Sequence, residues 1–254
     1  MSAVIREQQI GSIHLHPHSN GSVHEVHLSA GEVAALEADL RSHIGGEVRF
    51  DAGSRALYAT DASNYRQTPI GVVIPRDTED VVQAIAMARR YGAPVLARGG
   101  GTSLAGQCCN IAVVLDFSKY MNRVLAIDPA HKIGRVQPGT ILDDLRDAAE
   151  QHHLTFGPDP ATHDHCTLGG MIGNNSCGVH SVMAGKTDAN VEELEIVTYD
   201  GVRMRVGQTS DDELEQIIRA PGPLLKQRRI AVDICCGEFK GRADDRQIAG
   251  AQGW

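Results

Sequence analysis

Residues 94–107 read Pro94-Val95-Leu96-Ala97-Arg98-Gly99-Gly100-Gly101-Thr102-Ser103-Leu104-Ala105-Gly106-Gln107. A short apolar run opened by proline reads as a buried strand, and the glycine and hydroxyl residues behind it read as loop. Three consecutive glycines expose successive backbone N–H groups with no Cβ in the way. Such a chain can close into a nest for an anion, such as a phosphate or pyrophosphate. Thr102 and Ser103 add hydroxyl donors, and Arg98 adds charge at the rim. A flexible surface loop is the alternative reading of bare Gly-Gly-Gly. The position directly behind a strand, with two hydroxyls following, favours the anion.

Counting excludes two familiar nucleotide fingerprints. The Rossmann pattern needs glycine at its sixth position, and counting from Gly99 that position is Leu104. The Walker pattern needs Lys and Ser/Thr after its last glycine, but Gly106 is followed by Gln107-Cys108.

Upstream, Val72-Val73-Ile74 reads as a strand closed by Pro75. Asp77 and Thr78 offer N-caps, with Glu79 and Asp80 in the first turn. Val81/Val82, Ile85, Ala88 and Tyr91 keep helical spacing, and Gly92 is the stop. Residues 72–97 are therefore a β-α-β unit. Downstream, Ala112–Asp116, Val124–Ile127 and Lys132–Val136 read as strands, and Ile141–His153 as a helix. Leu194, Ile196 and Thr198 alternate into Asp200-Gly201, and Val202, Met204 and Val206 alternate out, which predicts a β-hairpin. Ser210-x-x-Glu213 predicts a capped helix through Arg219, and Val33, Leu36 and Leu40 predict another over Glu32–His43. No period is sustained after Pro221, so 220–254 is expected to be a poorly ordered tail.

The chain has 254 residues and a net charge of −8 from 24 basic and 32 acidic side chains, which speaks against nucleic acid as partner. No apolar run approaches the roughly 20 residues needed to cross a bilayer. The N-terminus carries Arg6 and Glu7 and lacks the apolar core of a secretory signal. Cys108/Cys109, Cys166, Cys177 and Cys235/Cys236 form no disulfide or zinc framework, which fits reduced thiols. A soluble, cytoplasmic protein is expected. His14, His16 and His18 would share one face of a strand and could hold a metal, but no nearby cysteine or carboxylate completes a site. A flexible leader over 1–31 is the better reading.

A second cluster runs from Gly157-Pro158-Asp159-Pro160 into Cys166-Thr167-Leu168-Gly169-Gly170-Met171-Ile172-Gly173-Asn174-Asn175-Ser176-Cys177-Gly178. Its small residues would let backbone approach a flat ligand, and Thr167 would cap a short helix. The strand, glycine loop, Gln137-Pro138-Gly139 turn, this cluster and the closing hairpin occur in one order and spacing. Together they resemble the FAD-binding domain of the vanillyl-alcohol-oxidase/p-cresol-methylhydroxylase type. FAD-linked D-2-hydroxy-acid dehydrogenases, among them D-lactate dehydrogenase, the glycolate oxidase flavin subunit and D-2-hydroxyglutarate dehydrogenase, are the nearest in pattern.

The resemblance implies an α+β fold of two lobes, about 60–125 and about 126–210, within a domain over 32–219. FAD would lie between the lobes. The pyrophosphate loop falls on Arg98, Gly99, Gly100, Gly101, Thr102 and Ser103. Isoalloxazine and ribityl contacts fall on Pro158, Thr167, Leu168, Gly169, Gly170, Asn175 and Gly178, with Val191 beside the hairpin. Some relatives attach the flavin through a histidine in the loop; Thr102 stands there, implying non-covalent binding. The implied reaction is hydride transfer from a 2-hydroxy acid to flavin N5. Ser176-Cys177-Gly178 and Ala184-Gly185 look more like the large members fused to an iron–sulfur unit. In this family the substrate carboxylate, any metal and the catalytic histidine belong to a C-terminal domain with no counterpart here, so no catalytic residue is assigned. The alternative is a truncated, inactive FAD-binding fragment. His163, His165, Cys166, Cys177 and His180 could be imagined as a metal set, but they lie where the family touches flavin.

Overall fold

The computed structural model describes residues 28–207, 210 and 212, and the backbone alone of Ile234–Lys240. The histidine-rich leader before residue 28 and most of the helix expected through Arg219 lie outside the described residues.

The first lobe is a four-stranded sheet with helices packed on it. Helix α1 spans Ala30–His43, β1 Glu47–Arg49, α2 Ala52–Leu57, β2 Gly71–Ile74, α3 Thr78–Arg90, β3 Val95–Arg98 and β4 Val113–Asp116. Strand order is β1-β2-β4-β3, with β2, β4 and β3 parallel and β1 antiparallel at the edge. All four residues of β2 and of β4 are buried, as expected of central strands covered on both faces. Leu36 and Leu40 of α1 and Val81, Ala84, Ile85 and Ala88 of α3 pack on one face. Tyr58, Leu96 and Tyr120 cover Val72, Ile74 and Val114 on the other.

The second lobe holds β5 (Val124–Asp128), β6 (Ile133–Val136), α4 (Leu142–Glu150), α5 (Leu168–Asn174), α6 (Ser181–Ala184), β7 (Val191–Val197), β8 (Arg203–Gly207) and β9 (Ile234–Lys240). Its sheet has the order β5-β6-β9-β7-β8, antiparallel throughout. Leu142 and Leu145 of α4 and Leu168 and Met171 of α5 pack with Phe156 and Cys166 beneath it.

Three differences from the sequence reading have physical causes. Helix α1 starts two residues before Glu32, because Ser29 and Glu32 form a reciprocal capping box. The first lobe begins at α1 instead of near residue 60, since β1 pairs with β2 and α1 packs on α3. A strand also stands in the stretch read as without order: β9 pairs with both β6 and β7, and its place is fixed by those neighbours.

The lobes are tied at several points. Val197 of β7 is fully buried in the first lobe's core. The Tyr199 hydroxyl donates to the Ala93 carbonyl at 2.9 Å, and the Arg89 guanidinium donates to the Asp200 carbonyl. These contacts fasten the β7–β8 hairpin turn to the end of α3.

Candidate functional site

The glycine loop leaves β3 at Arg98, which is in register with Asp116 of β4. Gly101 has φ +66, left-handed backbone that favours glycine, and its carbonyl accepts from the Ala62 N–H at 3.0 Å. The Arg98 guanidinium turns back under the loop. Its Nη1 donates to the carbonyls of Cys108 (2.8 Å) and Tyr58 (3.3 Å), and its Nη2 to that of Thr60 (2.8 Å). The Ser103 hydroxyl is engaged by Gln107 and accepts from the Ala105 N–H at 3.2 Å.

The second cluster is built on α5. Thr167 caps the helix, its Oγ1 accepting from the Gly170 N–H at 3.3 Å. Leu168 N–H donates to Thr140 O and Gly169 N–H to Pro138 O, each at 2.8 Å, so the 137–140 turn fixes where the helix begins. Asn175 closes it in the left-handed region at φ 47, and its Oδ1 accepts from the Asp188 N–H at 3.1 Å. That bond links the cluster to the turn before Val191.

The fold brings the two clusters together. A Cβ at Gly99 would overlap Thr167 Oγ1, and one at Gly100 would overlap the His165 carbonyl. The loop thus lies directly on the N-terminal end of α5, across the junction of the lobes. Gly100 and Gly170 remain exposed there, so the joint surface presents bare backbone. At the other end, a Cβ at Gly178 would overlap the Asp159 carbonyl, which brings Gly178 against the segment carrying buried Pro158. Pro158 O in turn accepts from Arg146 Nη2 at 3.4 Å. Val191 connects less directly, through Asp188 and Asn175.

Two features near the cluster went unread in the sequence. Asp159 grips His180 twice, Oδ1 accepting from its N–H at 2.8 Å and Oδ2 lying 2.5 Å from Nδ1. The Asn190 amide nitrogen donates to Ala184 O and Lys186 O at 2.8 Å each, which leaves its buried Oδ1 without a partner. A buried orphan acceptor costs about 1–3 kcal/mol. Asp159 and His180 are 21 residues apart and meet only on folding, whereas the Asn190 partners lie four and six residues upstream in the 184–190 turn.

The histidines of the imagined metal set are separated by their carboxylates: His163 pairs with Asp143 (2.7 Å), His165 with Asp164 (2.7 Å) and His180 with Asp159. Among the described residues no group of three His, Cys, Asp or Glu side chains is arranged to hold a metal ion.

A mixed first lobe, an antiparallel second lobe and a glycine-lined surface between them define an FAD-binding domain of the vanillyl-alcohol-oxidase/p-cresol-methylhydroxylase type. The chain belongs to the FAD binding domain family, whose model matches residues 69–207. Over 209 residues it is 35% identical to D-2-hydroxyglutarate dehydrogenase of Pseudomonas putida, covering 81% of this chain and 21% of that protein. It is 33% identical over 177 residues to glycolate oxidase subunit GlcD of Escherichia coli, covering 68% of this chain and 35% of that one. The chain thus spans about a fifth to a third of these relatives' lengths. Among solved structures, alkyldihydroxyacetonephosphate synthase aligns with a TM-score of 0.64 at 20% identity, over 87% of this chain and 43% of that one. Carbohydrate oxidase from Microdochium nivale aligns at 0.65 and 17% identity, over 82% and 43%. These likenesses support the fold. No helix among the described residues is long and apolar enough to cross a membrane.

Proposed function

We propose that this chain holds FAD non-covalently and is the flavin-binding part of a D-2-hydroxy-acid dehydrogenase. The observation that carries the reading is the junction of Gly99 and Gly100 with Thr167 and His165, where bare backbone from both lobes forms one surface. On this reading the surface would take a pyrophosphate on the loop and a flat ring system along the second cluster. Gly99–Ser103 would hold the phosphates; Pro158, Thr167–Gly170, Asn175 and Gly178 would face the ring and ribityl chain, with Val191 at the margin.

Non-covalent binding is supported by Thr102 at the position where some relatives carry a linking histidine. The cysteine beside Thr167 supports it too: Cys166 is 5% exposed, and burial pushes its thiol pKa up, so little thiolate is present. Bound FAD would supply the hydride acceptor; the chain would orient it and exclude water from one side. A 2-hydroxy acid is the substrate class suggested by the relatives' names. Its carboxylate clamp and proton acceptor, and an iron–sulfur electron acceptor, would be supplied by polypeptide outside this sequence. The free cysteines fit a cytoplasmic setting. A second reading is a flavin-binding segment with no turnover of its own.

The test is to load the chain with FAD or FMN, remove free flavin by gel filtration, and precipitate with acid. FAD should be retained and FMN lost, with the FAD released into the acid supernatant. Flavin in the pellet, or equal retention of FMN, would contradict the reading. Dye reduction by D-2-hydroxyglutarate, D-lactate or glycolate then separates the two readings. The chain alone should give no turnover on either reading. Turnover when it is combined with the polypeptide that supplies the clamp and proton acceptor favours the enzyme, and none in that combination despite bound FAD favours the segment.

A further inference from the structure

We propose that Arg98 is a positioning residue which holds the phosphate-binding loop from beneath, and is not itself a ligand of the phosphates. The inference rests on the FAD-binding reading. A guanidinium has five N–H donors in a rigid fork. Here the fork reaches three backbone carbonyls, Tyr58 and Thr60 on the segment leading away from α2 and Cys108 at the far end of the loop. One side chain therefore staples the loop's end to the 58–60 segment. Its Cζ also lies 5.3 Å from the centre of the Tyr58 ring, whose hydroxyl donates to Asp116 Oδ2 at 2.5 Å. Asp116 anchors the stack at the end of β4, beside Arg98 in the sheet.

Gly101 rests on the guanidinium: a Cβ there would stand 2.7 Å from Nη2. The left-handed turn at Gly101 and the fork of Arg98 therefore support one another. The positive charge is spent on carbonyl oxygens of the protein, and the loop's N–H groups are left as the phosphate donors. Lysine carries the same charge but is a point donor on a flexible stem, and it cannot span three carbonyls with fixed geometry.

The test compares wild type, Arg98→Lys, Arg98→Met and Gly101→Ala by FAD titration at low and high salt, with amide hydrogen exchange on the FAD-free proteins. Lys and Met should each weaken FAD binding at least tenfold and to a similar extent. The salt dependence should match wild type, and exchange over residues 99–108 should quicken in both. Gly101→Ala, the milder variant, should weaken binding more in wild type than in the Arg98→Met background, because the guanidinium it displaces is gone. Lys within threefold of wild type, a flattened salt dependence in Met, or unchanged exchange over 99–108 would overturn the proposal. Failure of wild type to bind FAD would instead overturn the reading beneath it, and the exchange result would still judge the positioning role.

Discussion

Gly99 and Thr167 are in contact across the lobe junction, so closely that a methyl group on Gly99 would overlap the Thr167 hydroxyl. The first residue of the glycine loop and the N-cap of α5 are therefore parts of one surface, although they are 68 positions apart in the sequence. On the proposed reading, this contact would let the loop after β3 and the start of α5 touch a single ligand.

Gly99→Ala is accordingly expected to destabilise the FAD-free protein by about 1–3 kcal/mol, the usual cost of forcing extra atoms into a packed site. For a domain of 150–250 residues, each kcal/mol corresponds to a fall of about 2–4 °C in Tm. Thermal unfolding by circular dichroism measures it. An unchanged Tm would show that the loop and α5 are not in contact.

The cysteines should differ in reactivity. Cys109 and Cys166 are 8% and 5% exposed, and burial pushes both thiol pKa values up, whereas Cys177 is exposed. Thiolate is the reactive form, so brief alkylation of the native protein at pH 7.5 should label Cys177 well before Cys109 or Cys166. Peptide mapping by mass spectrometry reads the order. Early labelling of Cys166 would contradict its packing beside Leu168 and would weaken the argument for a non-covalent flavin.

Acid should loosen the edge of the first lobe. Glu47 of β1 is engaged by Lys119, Tyr120 and Arg49, which together hold its carboxyl pKa down to about 2, from an ordinary 4.5. A carboxylate depressed by folding contributes stability that is complete above its ordinary value and is lost as pH falls toward the folded one. Glu47→Gln should therefore cost about 1 kcal/mol at pH 7, in keeping with an exposed ionic network. Its difference from wild type should shrink steadily from pH 4.5 to pH 2 in urea titrations. A difference independent of pH would assign the effect to packing at β1.

Much of this architecture was legible from local pattern. The unit from β2 through α3 to β3 announces itself by Pro75, the Asp77 cap, acidic residues in the first turn and Gly92; each is an independent signal for the same boundary. The β7–β8 hairpin follows from alternation around Asp200-Gly201. The elements that escaped are short or depend on distant partners. Strand β1 has three residues, α2 has six, and neither length supports a period. Strand β9 takes its place from β6 and β7. At the site, the glycines and Thr167 were visible as residue types suited to close backbone approach. The Tyr58 and Thr60 carbonyls bound by Arg98 and the grip of Asp159 on His180 were not, because such contacts exist only once segments about 20 to 40 residues apart are folded together.

The central claim, that the glycine loop and the α5 cluster hold one FAD molecule between the lobes, is tested most directly by a hydrogen-exchange footprint. Amide exchange of the chain would be compared with and without saturating FAD. Ligand that binds the folded state slows exchange where it contacts or orders the backbone. Protection is expected to concentrate in residues 98–103 and 167–178, in both segments together, with little change on the α1 side of the first lobe. Protection of one segment without the other, or binding that protects neither, would contradict it.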